Sequence, residues 1–428
     1  MKIVVIGAGS QIFGLRAIVD ILREPIFQTM DTELALVDTS DEKLQTMFQI
    51  ATMAKARLNS TVVLKAATDR TLVLSGADYV FISVSNRRYE LWEQDFRVPY
   101  LYGFKQAYAE NGGPGAMFHS LRNIHIIMGI CADIERLCPE AYVFNFSNPE
   151  SRVLLAIKTL TPLRAVGLCH GQNDALNAIS RILGRPMDTI SIRGGGINHL
   201  FWLQQVCDRQ TGENLYPLLK ERAKEDQTPL FTLPKKLLEI YGMLTYPDNT
   251  HAGEFLACGS EYMGGKWVHG LENRKISTLH KSKIDLLQSY LHGKKPLDEI
   301  LVKSREIAIP IIAAIIKDQP VEFDSGNTIN DHLYIPNLMA EGVVEVPIRV
   351  DGRGIHPQSI PALPEGVAAF CRTQMSIQIL TVQAYKERSK NLLLQTLMLE
   401  PTVNSIVKAE ALIEDMLQLQ QEYLPVFK

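Results

Sequence analysis

The sequence has no CxxC pair, no cysteine-dense segment and no apolar run long enough to span a bilayer. Its six cysteines, at 131, 138, 169, 207, 258 and 371, are scattered over 428 residues. That spacing excludes a disulfide framework and a closed structural zinc site, so any metal must be held by ligands distant in sequence. Strong charge of either sign is also missing. The net charge is −3, from 44 basic and 47 acidic side chains, which gives no general attraction for nucleic acid or for an anionic membrane. The apolar start "MKIVVI" is interrupted by Gly7, too early for the apolar region of a signal peptide, and a cytoplasmic location is expected.

What is present is a globular composition, 46% hydrophobic and 21% charged. The chain exceeds the roughly 250–300 residues at which single cores stop growing. Two units are expected, a dinucleotide-binding domain over 1–190 and a mixed α+β domain over 191–428 ending in long helices. The first segment carries that division. "KIVVIG" is a β-branched run suited to a parallel strand buried on both faces, "AGSQIFG" a glycine-bearing turn and "LRAIVDIL" an amphipathic helix. A second apolar run, "ELALVD", ends at Asp38, and a helix follows with Ser40 as its N-cap. In this βαβ unit Gly7 and Gly9 permit a tight turn and close approach of a pyrophosphate. Ser10 and Gln11 lie at the helix N-terminus, and Asp38 is placed to accept from ribose hydroxyls. The third glycine of a G-x-G-x-x-G fingerprint is missing: position 12 is Ile12, and Gly14 lies two residues late. The bare pattern therefore also suits a flavodoxin-like turn with no dinucleotide.

Further strands are expected at 77–86, 140–149 and 163–171, with a helix between the first two. A parallel sheet presents ligands at its carboxyl ends. Ser83, Ser85, Asn86, Asn145, Asn148, Cys169 and His170 should therefore share one rim, with Ser83, Asn86 and Asn145 toward a cofactor. Beyond about residue 190 shorter runs appear, such as "GINHLFWLQQV" and "GVVEVPIRVD", followed by long helices at 365–399 and 404–422.

The motifs "GAGS", "GGPGAMFHSLRNI" (112–124), "NFSNPE" (145–150), "GLCHG" (167–171), "GGINHLFWL" (195–203), "IPNLMAEGVVEVP" (335–347) and "QAYKERSKNLLLQTLMLEPTV" occur in that order along nearly the whole chain. The series resembles glycoside hydrolase family 4. The resemblance implies a Rossmann-type doubly wound parallel sheet joined to a mixed α+β domain, as in malate and lactate dehydrogenases. It also implies NAD, a divalent metal (usually Mn2+), a small-molecule glycoside as substrate, and a homodimer or homotetramer. Most glycosidases flank the scissile bond with two carboxylates, and the NAD-dependent family 4 is itself a recognised exception. In that family hydride leaves C3 of the sugar, the C2 proton becomes acidic and is taken by a base, the C1–oxygen bond breaks by elimination, water adds and the hydride returns.

Matched motif by motif, the resemblance makes Cys169 and His199 metal ligands and gives Asn148 a hold on sugar hydroxyls. His170, where the phosphosugar-cleaving members carry Asp or Asn, implies a non-phosphorylated α-glycoside, contacted by His170 or protonated by it at the leaving oxygen. "YGMLTYPDNTHAGEF" (241–255) matches the segment that supplies the base, with Asp248 favoured and Tyr246 second. The chain departs from the family at Ala109, Glu110 and Asn111, in a loop that contributes to the sugar pocket, where Glu110 is expected to contact substrate. Arg87 and Arg88 follow a rim strand and are expected to pair with an anionic sugar. Together with "CHG" they point to the α-glucuronidase-like branch or to the sister NAD-dependent sulfoquinovosidases, with a neutral α-glucoside or α-galactoside as the alternative. Outside the family reading, a malate-type dehydrogenase would consume NAD stoichiometrically and give Cys169 no role. A non-catalytic NAD-sensing module would not need the full motif series.

Overall fold

The computed structural model describes residues 1–10, 13–225, 227–263 and 285–428. Gln11, expected at the cofactor turn, lies outside the described residues. Six parallel strands form the amino-terminal part of the sheet: β1 (Lys2–Ile6), β2 (Glu33–Val37), β3 (Val63–Ala67), β4 (Tyr79–Ile82), β5 (Tyr142–Asn145) and β6 (Arg164–Gly167). They are arranged in the order β3-β2-β1-β4-β5-β6, which reverses between β1 and β4. A crevice opens at such a reversal because consecutive crossovers pass to opposite faces. β1 and β2 bury almost every side chain, as expected for strands covered on both faces. Ile6 is level with Ile82, Ile82 with Asn145 and Asn145 with Gly167, so the expected rim exists.

The sheet does not stop at β6. Gly167 pairs antiparallel with Asn327 of β9 (Val321–Ile329), and the sheet continues through β10 (Val343–Asp351), β7 (Ile190–Ile197) and β8 (Leu200–Asp208). β11 (Gly354–Pro357) folds back on β10. Both main cores draw on both ends of the chain. On one face Val4 and Ile6 pack with Leu393, Leu397 and Leu412; on the other Ile3 and Val5 pack with Ile309 and Ile312. The change near residue 190 is therefore a change of strand direction inside a continuous sheet.

Several expected elements are shorter than their apolar runs. The run 140–149 is strand only to Asn145. Beyond it Ser147 N–H turns back on Asn145 Oδ1 at 3.1 Å, and the Asn148–Pro149 bond is cis, leading directly into the helix Glu150–Leu160. The helix expected over 365–399 is two, Glu365–Glu387 and Lys390–Leu399, because Arg388 takes φ +58° and Ser389 caps the second by accepting from Leu392 N–H. Ser40 caps Asp41–Leu58 as expected, accepting from Lys43 N–H. Among the described residues no helix is long and apolar enough to cross a membrane.

Candidate active site

The cofactor turn is built by close backbone approach. A Cβ on Gly7 would lie 2.0 Å from the Ser83 carbonyl oxygen, and one on Gly9 would lie 2.6 Å from Asp38 Oδ2. Gly14 resolves the broken fingerprint. In the helix Phe13–Arg23 a Cβ at Gly14 would lie 2.2 Å from the Ala8 carbonyl oxygen. The tight helix-to-strand packing that the third glycine normally permits is thus supplied two residues later. Ser10 Oγ accepts from Phe13 N–H, and Asp38 accepts from the Gly9 and Ser40 amides. Ser83 and Asn86 follow β4 at the rim, both partly exposed. Asn145 is fully buried and its side chain is spent on Ser147, bonding that residue's N–H and carbonyl oxygen.

Cys169 and His199 come from different secondary structure. Cys169 follows β6, just ahead of the helix Gly171–Leu183, whose N-cap residue is His170. His199 precedes the apolar run "LFWL" but does not belong to its strand. It is instead the second residue of the two-residue turn joining β7 to β8, where Ile197 pairs with Leu200. Its φ is +68°, a conformation that costs a non-glycine residue of order 1 kcal/mol and tends to be kept where function requires it. Tyr246 lies between their two turns, and Cys169 acts electrostatically on its phenol. A Cβ at Gly171 would lie 2.6 Å from that ring, and the His199 ring stands edge-on to it at 6.4 Å between centroids. Burial, then Glu345, pushes the Cys169 thiol up to about 12. Burial, then His251, holds His199 well below the usual imidazole range, in the neutral form that ligates metals.

Around this pair several buried polar atoms lack a hydrogen-bond partner among the described residues: His199 Nδ1, Asn198 Oδ1, Asn327 Oδ1, Glu345 Oε1 and both carboxylate oxygens of Glu150. Such atoms cost of order 1–3 kcal/mol each when left unpaired, which marks a place prepared for a ligand. Among the described residues no three His, Cys, Asp or Glu side chains gather into a closed metal site. A Cys–His pair with open positions, set among unpaired oxygens, fits a divalent ion whose coordination the substrate completes.

The segment after β8 carries the two base candidates. Asp248 caps the helix Asn249–Gly253, accepting from the amides of Thr250 and His251 and from the Thr250 hydroxyl, and it pairs with the His251 ring. Burial opposes its charge, but His251 and Thr250 outweigh it and hold the carboxyl well below the usual range. The His251 ring lies 4.3 Å from that of His199 and 4.9 Å from that of Tyr246. Tyr246, 1% exposed, donates its hydroxyl to Glu345 Oε2 at 2.9 Å. Glu345 also accepts from Asn198 Nδ2 at 3.3 Å, and burial raises its proton affinity.

The loop at 109–112, expected at the sugar pocket, is held from beneath. Glu254 Oε2 accepts from the amides of Glu110, Asn111 and Gly112 at 2.8, 2.6 and 3.2 Å, and Glu400 accepts from Gly113 N–H and Arg152. The Asn148 carbonyl accepts from Asn123 Nδ2. Arg88, at the start of the helix Arg88–Leu101, forms a 2.5 Å ion pair with the buried Glu110. Arg87 is exposed and turns to the Tyr423 hydroxyl near the C-terminus, at 3.3 Å. The His170 side chain is 55% exposed, 3.9 Å from Glu306. Four residues absent from the sequence expectations, His251, Glu254, Glu345 and Glu150, surround the site. The visible signal was a lone carboxylate in the apolar run "VVEVP" and the His and Glu of "THAGEF".

Comparison with known proteins gives the family. The chain aligns over its full length with an alpha-glucosidase of Erwinia rhapontici at 28% identity, covering 99% of that protein. It aligns end to end with an alpha-galactosidase of Bacillus subtilis (strain 168) at 30% identity, covering 100% of both. The solved structure of a 6-phospho-alpha-glucosidase from gut microorganisms, in complex with NAD and Mn2+, superimposes with a TM-score of 0.86 at 20% identity, covering 100% of this chain and 99% of that one. The models for the family 4 glycosyl hydrolases match residues 2–185 and, for their C-terminal domain, residues 195–403. With both domain models matched in order, the chain belongs to the family 4 glycosyl hydrolases.

Proposed function

We propose that the protein is an NAD- and divalent-metal-dependent α-glycosidase that cleaves a non-phosphorylated, neutral hexoside. The observation that carries the metal and substrate reading is the group of unpaired buried polar atoms around Cys169 and His199. The α-glucosidase and α-galactosidase relatives support the reaction class, and the NAD and Mn2+ of the superimposed 6-phospho-alpha-glucosidase support the cofactors. The glycone follows from charge. Glu110, Asp248, Glu254 and Glu345 surround the site, while Arg88 is committed to Glu110 and Arg87 to Tyr423. An anionic sugar would meet carboxylates and would have to compete for Arg88, whereas sugar hydroxyls can donate to Glu110 and accept from Arg88. This replaces the anionic glycone that the two arginines suggest in sequence.

When bound, NAD would supply a reversible hydride acceptor and the divalent ion would supply Lewis-acid stabilisation of developing negative charge. The chain's own residues do the rest. Gly7, Gly9 and Gly14 shape the dinucleotide turn, and Asp38 faces the ribose. Cys169 and His199 would hold the metal, and Asn148 would orient sugar hydroxyls. His251, oriented by Asp248 as a carboxylate orients a catalytic imidazole elsewhere, takes the C2 proton. His170, open at the mouth, protonates the leaving oxygen.

The deciding experiment offers the protein aryl α-glycosides with catalytic NAD and Mn2+. Phenol release exceeding one equivalent per NAD, from the α-glucoside or α-galactoside, is expected. Turnover restricted to an α-glucuronide or α-sulfoquinovoside would overturn the neutral glycone. Stoichiometric NADH without phenol would overturn the glycosidase.

A further inference from the structure

We propose that Glu254 is a positioning residue that couples the metal ligand His199 to the sugar-side loop Glu110–Gly112. The inference rests on the reading that Cys169 and His199 hold the metal. Glu254 sits at the end of the helix Asn249–Gly253 and is 3% exposed. Its two oxygens do different work. Oε2 takes all three loop amides, and Oε1 faces Asn111 Nδ2 at 3.4 Å and His199 Nδ1 at 3.8 Å. The approach is close enough that a Cβ on Gly112 would lie 2.4 Å from the Glu254 carbonyl oxygen, so the loop is seated on this residue.

Among the described residues His199 Nδ1 has no hydrogen-bond partner, and Glu254 Oε1 is a carboxylate oxygen within ion-pair range of it. A neutral imidazole carries one proton. A carboxylate beside Nδ1 places it there, leaving Nε2 bare to ligate, and such outer partners typically contribute 10–100-fold to metal affinity. One side chain thus fixes the tautomer of a metal ligand and the height of the loop that meets the sugar.

The isosteric change Glu254→Gln separates the two tasks. The amide oxygen still accepts from the loop N–H groups, but the amide nitrogen now donates toward Nδ1 and favours the tautomer with its proton on Nε2. With NAD present, Mn2+ titration followed by EPR should show 10–100-fold weaker binding in Glu254→Gln, with NAD affinity unchanged. The 15N NMR shifts of His199 in the metal-free parent, assigned by their loss in His199→Gln, should report a protonated Nδ1. Equal Mn2+ affinity in parent and variant, or a proton found on Nε2 in the parent, overturns the proposal. A parent that takes up no Mn2+ overturns the metal reading beneath it. Should Glu254→Gln fail to fold, the imidazole shifts of the parent decide alone.

Discussion

The Gly9 amide donates to Asp38 Oδ2 at 2.9 Å, so the residue that follows β2 also closes the glycine turn that follows β1. The second Asp38 oxygen accepts from Ser40 N–H at 3.0 Å. The carboxylate is fixed at the point where an adenosine ribose is held in dinucleotide folds. A 2′-phosphate there would meet a held negative charge. NADP should therefore bind at least about tenfold more weakly than NAD, since even a modest like-charge contact is worth about 1.4 kcal/mol. Asp38→Ala should lose that discrimination and destabilise the turn by about 1–2 kcal/mol through its two orphaned amides. Cofactor titrations and thermal unfolding measure both, and equal affinity of the parent for the two cofactors would sink the assignment.

Cys169 makes a second prediction, this one about protons. With its thiol pushed up to about 12, the metal-free protein holds Cys169 protonated throughout the neutral range. A metal binds the thiolate, so each ion taken up must release that proton, whereas His199 is already neutral and releases none. Mn2+ affinity should rise about tenfold per pH unit between about pH 7.5 and 9, and Cys169→Ser should abolish both the slope and the activity while keeping the fold. A pH-independent affinity in the parent would exclude thiolate ligation.

The parts of this site that were legible in the sequence are those set by local rules. Ser40 capped its helix, Asp38 ended its strand, and Cys169 lay beyond a strand end because apolar runs and turn residues act over a few positions. The parts that were not legible depend on distant partners. The late glycine Gly14 looked like a defect until the Ala8 carbonyl was seen against it. Arg87 and Arg88 read as free cations because nothing local shows that Glu110 lies 22 positions away in space-filling contact, or that Tyr423 comes from the C-terminus. The positive φ of His199 was not legible because periodicity does not reveal which residue of a turn takes it. Glu254 and Glu345 were missed because a lone carboxylate next to apolar neighbours carries no signal until the sheet places it against its partners.

A buried pair remote in sequence links the C-terminus to the sugar motif. Asp95 and Arg122 are 0% and 2% exposed and form a double hydrogen-bonded ion pair. Gln420 bonds both, and His119 continues the network to Asn123, which donates to the Asn148 carbonyl. Asp95→Asn leaves the Arg122 charge buried without its counter-ion and should cost about 3–5 kcal/mol. Burial opposes the Asp95 charge, but Arg122 and His119 outweigh it and hold its folded pKa below the usual range. A depressed carboxylate stabilises fully above the unfolded value, near 3.9, and that stability is lost as pH falls through the folded value. Chemical denaturation of the parent should weaken below about pH 4, and Asp95→Asn should remove part of that acid dependence. An unchanged acid limb in the variant would assign the acid lability elsewhere.

The identity of the C2 base separates three side chains that lie together. Asp248 is saturated by donors from Thr250 and His251, which lowers its proton affinity and makes it a weak acceptor for a carbon-bound proton. Tyr246 is buried with its hydroxyl given to Glu345, and burial raises the phenol further, so it holds its proton more firmly than a free tyrosine. The His251 ring lies beside His199 and Tyr246, and Asp248 raises its proton affinity against the opposing effect of burial. A base must be deprotonated to act, so the raised pKa places the acid limb of the rate profile above the ordinary 6.5. In deuterated water the parent should incorporate label at C2 of the product. His251→Asn should lower kcat by about 10²–10⁴-fold and abolish that exchange, the range typical of a lost general base. Asp248→Asn should leave slower exchange with its acid limb moved to lower pH, because the imidazole remains but loses its orienting charge. Tyr246→Phe should retain exchange. Loss of exchange in Tyr246→Phe with survival in His251→Asn would transfer the base to the phenol and leave the elimination route standing. Product with no label at C2 from the parent would refute elimination, and the catalytic role given to Cys169 would fall with it.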